Sequence, residues 1–409
     1  MTTAERSGSG WRDARILAMI GTGHGLSHFY LLALPPLFPL LKDAFDVSYT
    51  ALGLLITVIN VATAAAQVPA GVLIDRIGAK GVLIGGLALM GLAMGLMGFV
   101  SDYWMLVALV AVAGLGNSVF HPADYVILSS SIDEKRVGFS FSVHTLTGNI
   151  GFMLAPVTMI ALAELFDWRI ALMVAGCFAL VAVTALALFG DALHDEAAVK
   201  KRKETPALGL TGPKALLTRP VVMLFFFFMT ASMVTGGVQA FSVTAIDGFH
   251  GIDLTLASGV LTAFLVAQAV GVLLGGLGAD RTRRHGLAAA LAMIVAAALF
   301  LLLGAFPLPF VVVLACFAVI GLLLGSIRPA RDMMVKAASP PGATGRVFGF
   351  VSTGINAGSA ITPPLFGLIL DQGEPRLTFI LLAVFTVIGI ATLAVVRKPR
   401  TSAAVAPAE

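Results

Sequence analysis

The chain has 409 residues, of which 58% are hydrophobic and 12% charged, with a formal net charge of +4. A soluble globular protein carries about twice that charged fraction, so a soluble enzyme or nucleic-acid-binding protein is excluded and a membrane protein is expected. The apolar runs reach the roughly 20 residues that a membrane-crossing helix needs, about double the length of a barrel strand.

In chain order, apolar runs between polar breaks predict six spans over 14–41, 51–73, 81–100, 104–130, 137–162 and 169–189. Six more follow over 220–245, 254–277, 287–305, 310–335, 347–370 and 376–396. The expected fold is therefore all-α, with twelve transmembrane helices in two six-helix bundles. Residues 1–189 form the first bundle and 220–409 the second, and 190–219 form a cytoplasmic linker carrying the basic run Lys200-Lys201-Arg202-Lys203. Residues 1–15 are polar and lead into an apolar run too long for a signal-peptide core, so the N-terminus reads as uncleaved. Cys177 and Cys316 lie in separate apolar segments, and neither a disulfide framework nor a cysteine metal site is expected.

Alternate connections hold nearly all the Lys and Arg, among them Arg12, Arg15, Arg76, Lys80, Arg136, Arg219 and Arg397, while the opposite set holds only Lys42, Arg169 and Arg376. The positive-inside rule places the first set, with both termini, in the cytoplasm. This predicts an integral protein of a cytoplasmic (inner) membrane of bacterial type.

The halves repeat. At an offset of 207, Gly114 falls on Gly321, Pro122-Ala123 on Pro329-Ala330, Asn149 on Asn356, Gly151 on Gly358 and Pro156 on Pro363. At an offset of 205, Gly71 falls on Gly276 and Asp75-Arg76 on Asp280-Arg281. Parallel repeats related by an axis along the membrane normal place a binding site at the midplane between them.

Ionisable groups inside spans are costly and commonly face a cavity. His24 and His28 lie four apart on one helix face, about 13–20 Å from the cytoplasmic start of span one, as candidates for proton coupling or substrate binding. Asn149 and Asn356, equivalent midplane residues, are candidates for orienting the substrate, with close helix packing at their neighbouring glycines as the plainer account. No acidic or cysteine ligand obviously completes a histidine set at that level, so no metal site is expected, and no cofactor. Counting from the outer ends places His121 and Asp124 of span four, and Arg328 and Arg331 of span ten, about 27 Å in, near the cytoplasmic edge. Their complementary signs predict a cytoplasmic gate joined by Asp332 and Arg346. The run Phe225 to Phe228 points all around its helix and reads as lipid and packing surface.

The turn Gly71-Val-Leu-Ile-Asp75-Arg76-Ile-Gly78-Ala-Lys80, and its echo ending in Asp280-Arg281-Thr-Arg283-Arg284, resemble the signature of the major facilitator superfamily. The resemblance implies the two-bundle fold and conformational-lock turns at Gly71, Asp75, Arg76, Gly78, Asp280 and Arg281. Gly116-Asn-Ser-Val-Phe120-His121-Pro122, with Gly148-Asn149-Ile-Gly151 and Ala155-Pro156, resembles the fosmidomycin-resistance type of drug exporter, with Ala-Asp after His-Pro as a departure. There is no Gly-x-Ser-x-Gly, His-Glu-x-x-His or Walker loop, so no enzyme and no ATP drive is expected. The expected function is proton-coupled export of a small amphiphilic or anionic compound by alternating access, an efflux antiporter acting as a monomer. The expected partners are that small molecule, lipid and protons, with no nucleic acid. Uptake of a small organic anion by proton symport, and a transporter-shaped receptor, are the alternatives.

Overall fold

In lipid, a backbone N–H or C=O finds no water, so a crossing segment must satisfy its own hydrogen bonds as a helix. The computed structural model is helical in nearly all of the residues it describes, which are 3–132, 136–193, 218–279, 285–338 and 344–396. The first half contains α1 (Thr3–Leu31), α2 (Phe38–Phe45), α3 (Tyr49–Ile77), α4 (Ala79–Met97), α5 (Tyr103–Asn117), α6 (Phe120–Ser131), α7 (Val137–Leu165) and α8 (Trp168–Phe189). The second contains α9 (Arg219–His250), α10 (Leu254–Ala279), α11 (His285–Ala305), α12 (Phe310–Ala338), α13 (Thr344–Asp371) and α14 (Arg376–Val396). Among the described residues, eleven segments are long and apolar enough to cross a membrane. The 28-residue α13 is a twelfth helix of sufficient length.

Proline accounts for both interrupted crossings. Pro35 and Pro36 open a 3-10 turn, Pro35–Leu37, between α1 and α2. In the fourth crossing, Pro122 has no N–H for the Ser118 carbonyl and its ring crowds that carbonyl, so the helix breaks between Asn117 and Phe120. Its counterpart Pro329 lies inside an unbroken α12. The halves thus differ at the very place where their sequences match.

Large apolar side chains such as Leu92, Phe99, Trp104, Leu180 and Leu273 are exposed on the bundle surface. A continuous apolar exterior is the surface expected of a protein solvated by lipid. The linker expected from residue 190 begins as a short 3-10 turn, Gly190–Ala192, held because Arg15 donates to the Phe189 carbonyl at 2.6 Å and pairs with Asp191. The rest of that linker lies outside the described residues.

The start of α1 and the end of α14 lie at one end of the helices, the terminal side; the loops after α2, α4, α7 and their counterparts mark the far side. The bundles meet on the far side through α3 against α13 and α7 against α10. Asp371, at the end of α13, accepts from the Tyr49 and Thr50 backbone N–H at 2.6 and 2.9 Å and from Thr50 Oγ1 at 2.6 Å. Ser48 accepts from the Ala51 N–H, so the free donors opening α3 are capped partly by its own bundle and partly by the other. The twofold repeats the contact: Thr255 donates to Glu164, and the same offsets carry Thr50 onto Thr255 and Glu164 onto Asp371. A second layer repeats likewise, with Thr57 donating to the Ala360 carbonyl at 2.9 Å and Thr262 to the Met153 carbonyl at 3.2 Å. One apolar core runs through the first bundle and the far side of the second. The core around Phe227, Val335 and Val351, on the terminal side of α9, α12 and α13, is a separate cluster.

Glycines bring helices together within each bundle. A Cβ on Gly151 of α7 would lie 1.9 Å from the Gly25 carbonyl oxygen of α1, whereas one on Gly71 would meet nothing within 4 Å. Gly71 is inside α3, not in a turn; the turn is made by Gly78, whose φ of 92° is a conformation that only glycine holds without strain. Gly151→Val is expected to force α1 and α7 apart at a cost of about 1–3 kcal/mol, lowering the melting temperature in detergent by several degrees. Gly71→Ala is expected to leave that temperature unchanged.

Candidate functional site

Between the bundles lies a cavity of about 520 Å³, walled by His28 and His121 from the first half and by Arg328 and Arg331 from the second. Its apolar wall includes Phe152, Phe227 and Phe228, and Ser232, Gln239 and Ser359 add hydrogen-bonding groups. Arg328 donates to Gln268 Oε1 at 3.1 Å, and the Arg331 guanidinium lies 4.1 Å from the Phe228 ring centre. A smaller chamber of about 170 Å³ on the far side shares Phe152, Gln239 and Ser359 with it and adds Asn60. Cations beside aromatic faces suit an organic anion with an apolar body, because the charge finds partners and the body leaves water.

Behind the His28–His121 wall, three helices of the first bundle each contribute one buried polar group. Asp124 of α6 is 0% exposed, His24 of α1 2% and His144 of α7 3%. Asp124 Oδ2 lies 2.9 Å from His144 Nε2 and 3.3 Å from His24 Nδ1. The 2.9 Å contact is a hydrogen bond; the 3.3 Å contact lacks hydrogen-bond geometry and leaves His24 Nδ1 unpartnered, and Asp124 Oδ1, the other carboxylate oxygen, is also buried without a hydrogen-bond partner. The His24 and His144 rings stack with centroids 3.6 Å apart, and His28 and His121 lie 4.5 and 5.3 Å from His24. Gly148 makes the room: a Cβ there would come within 2.8 Å of His24 Nε2 and 3.0 Å of His28 Nδ1. A lone carboxylate so removed from water is strongly disfavoured, and the two imidazoles are the partners that the described residues offer it.

This geometry revises the sequence reading in four places. Helix counting put His24 and Asp124 at different levels, yet they touch. Asp13 pairs with Arg136 at 2.7 Å, and from that marker His24 and His144 rise about 16 and 12 Å along their helices, which puts both rings at one level. Counts from opposite ends of spans of unequal length do not share an origin. Secondly, in this state Asp124 is not an open gate group facing Arg331 but is enclosed by its own bundle, while His121, Arg328 and Arg331 line the cavity. Thirdly, Asn149 is half-buried and Asn356 exposed, and the cavity is lined one turn on by the equivalent pair Phe152 and Ser359. Lastly, Phe227 and Phe228 are buried cavity wall, and only the Phe225–Phe226 part of that run is more open. The side chains of Asp75, Asp332 and Arg346, and all of Asp280 and Arg281, lie outside the described residues; Arg76 is exposed. His144 was visible in the sequence only as one polar residue among several within spans. Its position one turn before Gly148, on the face of α7 that meets α1, was the available signal.

The sequence model of the Major Facilitator Superfamily matches residues 20–250 and 237–409. The chain is 24% identical over 384 residues to the membrane sensor protein UhpC of Escherichia coli, covering 88% of this chain and 86% of that protein. It is 23% identical over 270 residues to the fosmidomycin resistance protein of the same organism, covering 66% of each. A bacterial homologue of the human lysosomal transporter Spinster, in an inward-facing and occupied conformation, superposes with a TM-score of 0.75 at 14% identity, covering 94% of this chain and 96% of that one. With its helical architecture, doubled bundle and family match, the chain is a membrane transporter, not an enzyme, and belongs to the Major Facilitator Superfamily.

Proposed function

We propose that the chain is a proton-coupled antiporter that exports a small amphiphilic or anionic compound from the cytoplasm by alternating access. The observation that carries this reading is the cavity between the bundles, cationic on one wall and aromatic on another, beneath a seam joined on the far side. With the Lys- and Arg-rich terminal side in the cytoplasm of a bacterial cell, the structure corresponds to the inward-open state. Substrate enters between the bundles, its anionic group pairs with Arg328 and Arg331, and its apolar part lies against Phe152, Phe227 and Phe228. The His24–Asp124–His144 cluster, reached past His28 and His121, is where the coupling proton is held. His121, Arg328 and Arg331, with Asp332 and Arg346, close the terminal side when the seam opens.

Similarity to a protein described as a membrane sensor favours one second reading, in which solute binding in the same cavity is a signal rather than a transport step. Flux separates the two: a transporter accumulates solute across a sealed membrane, whereas a sensor binds it without net movement. In inverted vesicles with an imposed pH gradient, solute accumulation is expected to exceed that in vesicles lacking the chain and to collapse with the gradient. Accumulation that ignores the gradient overturns proton coupling, and binding without accumulation favours the sensor. Direction of counterflow decides between export and symport of an anion.

Two variants probe the geometry. Arg331→Gln is expected to weaken retention of an anionic solute by about tenfold or more, the scale of one charged hydrogen bond, while leaving binding of a neutral analogue unchanged. Asp371→Ala removes the cross-bundle cap on α3 and is expected to shift the equilibrium toward the outward-open state by about 1.5–3 kcal/mol. Spin labels at Asp43 and Glu374, both exposed on the far side, would then report a larger population of long distances.

A further inference from the structure

The buried polar cluster has a donor set and a spacing that hydrogen bonding alone leaves incomplete. Two imidazole nitrogens, His24 Nδ1 and His144 Nε2, converge on one carboxylate, and donor atoms of all three residues lie within 4.8 Å of one another. Ligands held at about 2.0 Å around a tetrahedral ion stand about 3.3 Å apart, close to the 2.9 and 3.3 Å at which Asp124 Oδ2 meets the two nitrogens. Two atoms at this centre, His24 Nδ1 and Asp124 Oδ1, are buried with no hydrogen-bond partner. A side chain at position 148 would intrude on the imidazoles.

We propose that His24, Asp124 and His144 form a binding site for one divalent transition-metal ion of borderline softness, such as Zn²⁺ or Co²⁺. Two neutral imidazoles and a carboxylate are a ligand set for such ions, and they leave one position of the tetrahedron open. His121, exposed on the cavity side and with its ring 5.3 Å from that of His24 and 6.3 Å from that of His144, is placed to take that position. The ion enters from the cavity between His28 and His121, and the three-helix site holds α1, α6 and α7 together. Ca²⁺ and Mg²⁺, which take oxygen ligands, are not bound. The site goes beyond the transport reading: the ion takes the place of the proton assigned to these residues, and its binding stands whether or not the chain moves protons.

The test uses the full chain, purified in detergent, stripped with a chelator and titrated with Co²⁺ or Zn²⁺. One Co²⁺ per chain is expected, with the intense visible bands of four-coordinate cobalt, and Ca²⁺ is not expected to displace it. Asp124→Asn and His144→Gln are each expected to weaken binding by more than about a hundredfold, and the cavity-facing His121→Ala to move the bands. His250→Gln, whose ring meets the Leu308 N–H on the far side, is expected to bind as the unaltered chain does. X-ray absorption of the Zn²⁺-loaded unaltered chain needs no variant to fold. A shell of nitrogen and oxygen that includes two imidazoles supports the site. A sulfur ligand, a shell of oxygen only, or Co²⁺ affinity unchanged in both Asp124→Asn and His144→Gln overturns it. Solute flux in chelator-treated vesicles decides the transport reading separately, since flux without metal leaves that reading standing whatever the binding shows.

Discussion

The arrangement of this molecule depends on a helix end that its own bundle does not complete. The N-terminus of α3 offers free N–H groups; Ser48 satisfies one, and Asp371, from the other bundle, satisfies two more while placing its charge at the positive end of the helix dipole. Because the halves are repeats, the second bundle makes the corresponding contact through Thr255 and Glu164. A threonine layer about two helical turns further in doubles both. These bonds are individually modest, about 1 kcal/mol each for the neutral ones, but all lie on one side of the membrane. They hold the two bundles together on the far side.

The cavity under that seam inherits asymmetry from the two halves. The second half contributes Arg328 and Arg331 from an unbroken α12, whereas in the first half Pro122 breaks the crossing and α6 begins at Phe120. That break accompanies a different use of the equivalent positions: His121 reaches the cavity and Asp124 is enclosed between His24 and His144. The repeat thus provides two similar frames, and one of them has acquired a buried acid–imidazole cluster that the other lacks, since the position equivalent to His144 is Val351.

Some of this was readable from residues alone. Twelve apolar runs and the paired Asp-Arg turns specify crossings and repetition, because each is a local property of a chain in lipid. The break of the first crossing at Pro35 and Pro36 is local in the same sense, since proline removes a backbone donor wherever it falls. His24 and His28 could be singled out because an ionisable side chain within a span is costly wherever it points. Its neighbours could not be known. Asp124 is 100 residues from His24, and a depth estimate accurate to a helical turn on each cannot show that two groups share one hydrogen-bonding distance.

The membrane class, the doubled helical frame and the identity of the charged groups inside it follow from hydropathy, spacing and repetition along the chain. Which of those groups meet is a matter of packing in three dimensions: Asp124 with two histidines instead of the arginines, Phe227 and Phe228 with the cavity instead of lipid, Asp371 with a helix of the opposite bundle. Burial and pairing depend on the rotation of each helix about its axis and its offset along that axis. Those two quantities are set by the packing of neighbours, at contacts such as Gly151 against Gly25, and not by any one segment.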